Sequence, residues 1–69
     1  MPSRRETVLL TLLDLYREFS RSIQLKELVN ATNLGRDIVR RELEVLKCLE
    51  LIETRHGTKG GYIPTIHAT

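Results

Sequence analysis

Residues 28–52 read LVNATNLGRDIVRRELEVLKCLELI, and the spacing of the apolar residues within them decides the fold. A short apolar segment comes first, followed by a polar, turn-prone run at 30–33, then Leu34 and Gly35, then a periodic stretch that starts at Arg36. Placed at about 100° per residue, Val39, Leu43 and Leu46 fall at the centre of one face, with Ile38, Val45 and Leu49 on one shoulder. Arg36, Arg40 and Lys47 line the other shoulder, and Arg41 points farthest away. The pattern predicts a helix over about 36–48 that buries an aliphatic face and displays its cations.

Upstream, Ser3 followed by Glu6 has the spacing of a capping box, and Val8, Leu9, Leu12, Leu13, Leu15, Tyr16 and Phe19 then recur at helical steps. A first helix is predicted over roughly 4–19. Its apolar stripe is broader than one small partner helix covers, so part of it is expected to face another subunit or a further domain. Residues 20–22 form a polar joint, after which Ile23, Gln24, Glu27 and Leu28 have the spacing of a staple and capping box, with Gln24 a poor cap residue. A short second helix is predicted over about 24–31; residues 30–33 then allow the chain to reverse, and Gly35 tolerates the cap geometry of the next helix.

Downstream, the period changes after Leu51 and Ile52. Extended stretches over about 51–55 and 62–66 flank HGTKGG, which predicts a hairpin with a basic, glycine-rich tip, and Pro64 marks an edge strand or the end of one. The fold class is mainly α with a small β-hairpin. Three helices, the second and third joined by a tight turn, with a hairpin beside the third, make the layout of a winged helix-turn-helix.

The whole chain, 1–69, fits one small domain, because so short a chain cannot enclose a second core. Its end at 66–69 carries no evident stop signal, as in a fragment of a longer regulator. One cysteine allows no intrachain disulfide, and the two histidines lie far from it and from each other, so no structural metal is expected and a reducing, cytoplasmic setting is. No apolar run approaches the roughly 20 residues that cross a bilayer, so no membrane partner is expected. The net charge is only +2, so the placement of positive groups, rather than their sum, carries any case for nucleic acid. No paired carboxylate or Ser/His/Asp arrangement sits on a defined scaffold, and so small a domain lacks a deep pocket; neither an enzyme nor a cofactor is expected. HGTKGG follows a strand-like stretch and opens no helix, unlike a nucleotide-binding loop.

Double-stranded DNA is the leading partner. A helix packed by one side on two others presents its opposite side rigidly, and its diameter suits the major groove. Arg36, in the first turn, is placed to enter first, while Arg40 and Arg41 follow one turn later, where a guanidinium bonds guanine in bidentate fashion or reaches a phosphate. Thr32, Asn33 and the free N–H groups at the start of the third helix are candidates for phosphate oxygens, and Lys47 extends the basic shoulder. Arg55, His56 and Lys59 belong to the hairpin, which can lay them on the backbone or in the minor groove. Each arginine has a blander alternative as a solvated side chain, and Arg41 stands at i,i+4 from Asp37, a pairing that stabilises a helix without any ligand. Asp37, Glu42 and Glu44 reduce the basic field and favour a specific pose over indiscriminate coating. The sequence does not fix the direction of Arg4 and Arg5; Cys48 reads as a bystander and Tyr62 as a packing residue that anchors the hairpin.

At these residues the chain resembles the winged helix-turn-helix domains of transcription regulators. Leu34, Gly35, Ile38, Val39, Arg40, Arg41, Leu43, Leu46, Leu51 and Ile52 stand where those domains carry their hydrophobic frame and a Thr-Val-Arg-Arg run. Two departures stand out: Ile38 replaces a hydroxyl residue that often bonds DNA, and Glu50 replaces the usual glycine. Tyr16 and Ile23, then His56, Gly60, Gly61, Pro64 and Thr65, resemble the amino-terminal domain of the bacterial heat-inducible transcription repressor, with a slightly longer wing. Gly60, Gly61 and Tyr62 also resemble the wing of the iron-sulfur-cluster regulators. These resemblances imply sequence-specific operator binding by a homodimer, joined to a sensor domain outside this chain. The alternative is a protein-interaction or dimerisation module on the same fold, using the broad apolar side of the first helix.

Overall fold

The computed structural model describes residues 3–55 and 60–65. Along the chain run α1 (Arg4–Phe19), α2 (Leu25–Thr32), α3 (Arg36–Cys48), β1 (Ile52–Arg55) and β2 (Gly61–Pro64). The expected bounds of α1 and α3 coincide with those observed, α2 begins and ends one residue later than expected, and β2 begins and ends earlier.

Each boundary has a local cause. Ser3 caps α1, its hydroxyl accepting from the Glu6 N–H at 3.2 Å, and the helix closes at Ser20 in the left-handed region. In α2 the Glu27 carboxylate reaches back to accept the Gln24 N–H at 3.1 Å, which supplies a cap where Gln24 itself is a weak one. The helix stops at Asn33, φ 58, a residue type that tolerates this conformation. Gly35 precedes α3 with φ −63, and a Cβ there would meet only Ile38 Cδ1 at 3.9 Å, so neither backbone nor space demands glycine at that position. At the other end of α3 the Glu50 N–H donates to the Lys47 carbonyl and the Leu51 N–H to the Leu46 carbonyl, both at 3.0 Å. That is the paired closure of a Schellman motif, and it places Glu50 at φ 62, where glycine is the usual occupant.

β1 and β2 pair antiparallel, with Ile52 opposite Pro64 and Arg55 opposite Gly61. Ile23, in the joint between α1 and α2, adds a one-residue bridge on the far side of β2: its N–H donates to the Tyr62 carbonyl at 2.9 Å, and the Tyr62 N–H donates back at 2.8 Å. β2 therefore lies between β1 and Ile23, and Pro64, which has no N–H to give, closes it. Gly61 is required by this approach, since a Cβ there would lie 2.9 Å from the Ile23 carbonyl oxygen.

Val8 and Leu12 of α1, Ile23, Leu28 of α2, Val39, Leu43 and Leu46 of α3, and Ile52 of β1 form the core, each at most 1% exposed. Burial of each such side chain contributes about 1.5–3 kcal/mol, against the conformational entropy of ordering it. Tyr62 packs on this cluster, as a hairpin anchor should. Leu49 departs from the expected shoulder of α3: it is 55% exposed, one residue past the end of the helix and just before the left-handed turn at Glu50.

Candidate nucleic-acid interface

α3 is held from behind. Val39, Leu43 and Leu46 are buried against α1, α2 and β1, and the opposite surface is left to water. Arg41 is exposed on that surface, and Arg36, Arg40 and Lys47 are exposed on the shoulder beside it. Among the described residues the ion pairs are Arg5 with Glu42 and Arg21 with Glu27, so no cation of α3 is tied to an acid. The i,i+4 pairing of Asp37 with Arg41 is thus not formed, and both side chains stand exposed. Lys47 differs from the arginines in also lining an open cleft with Glu50 and Glu53, between the end of α3 and the hairpin.

The turn before α3 supplies different chemistry. Gly35 has no side-chain oxygen, and the first helical bond runs from the Val39 N–H to the Gly35 carbonyl at 3.0 Å. The N–H groups of the first turn are therefore without a capping partner, at the positive end of the helix dipole. Asn33 is exposed beside them. The Thr32 hydroxyl donates its proton to the Leu28 carbonyl at 2.7 Å and accepts from the Leu34 N–H at 3.4 Å. Its only proton is engaged, and a phosphate contact through it would have to displace that bond. Arg55 is exposed at the end of β1, while His56 and Lys59 lie outside the described residues.

Two polar clusters have no signal in the sequence. The Arg5 Nε donates to Glu42 Oε1 at 3.3 Å, joining the first turn of α1 to the middle of α3 across a separation of 37 positions. Arg21 forms a fork on Glu27, with Nη1 at 3.1 Å and Nη2 at 2.8 Å from the two carboxylate oxygens, while Nη1 also donates to the Ser22 carbonyl at 2.9 Å. Its guanidinium lies over the Phe19 ring, 4.9 Å from the centroid. Hydrogen bonds from Arg21 hold the Glu27 carboxyl below the usual carboxylate range, and the same bonds raise Arg21. This second cluster fixes the corner between α1 and α2.

The comparisons with known proteins agree with this architecture. A family model described as the winged helix-turn-helix transcription repressor, HrcA DNA-binding, matches residues 1–69. An uncharacterized protein of Methanocaldococcus jannaschii is 36% identical over 61 residues, a match covering 88% of this chain and 21% of that protein. The solved structure of T. potens IscR superposes with a TM-score of 0.76 at 21% identity, covering 96% of this chain and 49% of that one. At that identity the likeness is one of fold. The chain spans about a fifth of the curated relative and about half of the solved structure.

Proposed function

The chain belongs to the winged helix-turn-helix family of HrcA-type repressor DNA-binding domains, and from that membership we propose that it reads a specific double-stranded DNA site with α3 in the major groove and the hairpin as a basic wing. One observation carries the reading: α3 buries Val39, Leu43 and Leu46 and leaves Arg36, Arg40, Arg41 and Lys47 exposed, without acidic partners among the described residues. Guanidinium groups standing free on a rigid ridge can fork onto guanine or phosphate. Asn33 and the N–H groups opening α3 set the register on the backbone, and Arg55, with His56 and Lys59 beyond it, supplies the wing contact. The reading needs no cofactor or catalytic step, and the cytoplasm is the compartment that suits it.

Selection of bound duplexes from a randomised pool tests the proposal. Enrichment of a common sequence supports it; recovery of an unenriched pool overturns specific reading. Against an enriched site, Arg40→Ala is expected to cost about 1–3 kcal/mol and to relax base preference, whereas Lys59→Ala weakens cognate and unrelated duplexes evenly. Equal losses for Arg40→Ala on every sequence remove its assigned role.

A second reading has its own observation. Leu10 of α1 is 54% exposed, on the side of the helix turned away from the buried Val8 and Leu12. We assign this side to a homodimer contact, which would place two α3 helices on a two-fold symmetric site. Were the chain instead a protein-interaction module alone, its association would change little with salt, while DNA binding falls steeply.

A further inference from the structure

We infer that Arg5 is a positioning residue of the DNA interface, whose guanidinium screens the Glu42 carboxylate so that α3 meets phosphate without an open negative charge on that shoulder. The inference rests on the DNA-binding reading above. Glu42 lies on the α1 side of α3, the shoulder opposite Arg36, Arg40 and Lys47. A helix seated in the major groove has a phosphate strand along each shoulder, so the acid faces one groove wall.

Glu42 differs from the other acids of α3. Asp37 and Glu44 are exposed, among the arginines and in water that damps their fields. The Glu42 side chain is only 17% exposed, so its charge is screened less by solvent and more by what touches it. What touches it is Arg5 Nε at 3.3 Å, from another helix, and α3 makes no other ion pair among the described residues. A neighbour that neutralises this acid from α1 leaves every basic side chain of α3 free for DNA. Fold stability is a weak alternative explanation for the pair, because Arg5 is half exposed and such pairs contribute little.

The test is a charge-rescue cycle on the whole chain, read by fluorescence anisotropy with a labelled mixed-sequence duplex of roughly two helical turns, over a series of salt concentrations. Arg5→Ala is expected to weaken binding about fivefold at low salt, with the loss shrinking as salt rises. Glu42→Gln should bind at least as tightly as wild type, and Arg5→Ala with Glu42→Gln should return close to it. If the double variant stays as weak as Arg5→Ala, Arg5 touches phosphate itself and the inference falls. If Glu42→Gln alone weakens binding as Arg5→Ala does, the pair is a mechanical tie, and the inference falls equally. A wild-type chain with no salt-dependent duplex binding removes the DNA-binding reading, and this inference with it, an outcome distinct from the other two. Thermal melting of each variant, expected to stay near wild type, separates these results from loss of fold.

Discussion

Glu50 holds a left-handed conformation, φ 62, to close α3. For a residue with a Cβ that conformation costs about 1–2 kcal/mol, partly offset because glycine is freer in the unfolded chain. Glu50→Gly is therefore expected to raise stability by about 0.5–1 kcal/mol, seen as a higher melting temperature; a lower one would mean the side chain contributes something the backbone does not reveal. Gly61 is the converse case. Gly61→Ala drives a Cβ to 2.9 Å from the Ile23 carbonyl oxygen and is expected to cost about 1–3 kcal/mol, whereas Gly35→Ala, with open space and ordinary φ, should change stability far less. Chemical denaturation of the two variants side by side checks the contrast. Sequence showed both glycines as turn residues and could not rank them, because the rank depends on a neighbour brought close only by the fold.

Among elements, α1 and α3 were legible because their apolar residues recur over several turns and their ends have local signals: Ser3 with Glu6, and the change of period after Leu51 and Ile52. The hairpin was legible as a pair of strands but not in its register. Gly61–Pro64 is set by Ile23, a single bridging residue that carries no periodicity of its own. The basic side of α3 followed from the same wheel as its core, but the freedom of its arginines did not: Asp37 suggests an internal pair, while the observed partner of an α3 acid comes from α1. The α1–α2 corner gives a pH prediction. Glu27 is held below the usual carboxylate range by Arg21, so its contribution is complete above the pKa it has when unfolded and is lost as pH falls through its lower folded value. The stability difference between wild type and Glu27→Gln should thus be largest near neutrality and fade in acid; a difference unchanged in acid would show that packing, not charge, holds the corner. Both groups are close to water, so the effect is modest.

At the scale of the molecule, a core of eight side chains among the described residues leaves little reserve, as the surface of so short a chain is large for its volume. Ile23→Ala removes a core side chain that also flanks β2, and is expected to cost about 2–5 kcal/mol, a large share of the stability of a domain this size, with denaturant midpoints as the measure. Exposed Leu10 of α1 bears on assembly: Leu10→Glu should shift a concentration-dependent dimer toward monomer in sedimentation while leaving α3 intact, and an unchanged sedimentation profile would remove Leu10 from the contact. The end of α3, the start of β1 and the end of the hairpin converge, since the Thr65 hydroxyl donates to the Glu50 carbonyl at 2.6 Å and its N–H to the Leu51 carbonyl at 3.0 Å. The amides of Leu51 and Thr65 are thereby links in one chain of bonds, so in heavy water their protons should exchange with deuterium at a shared rate, the third helix and its neighbouring ribbon loosening together in a single opening event.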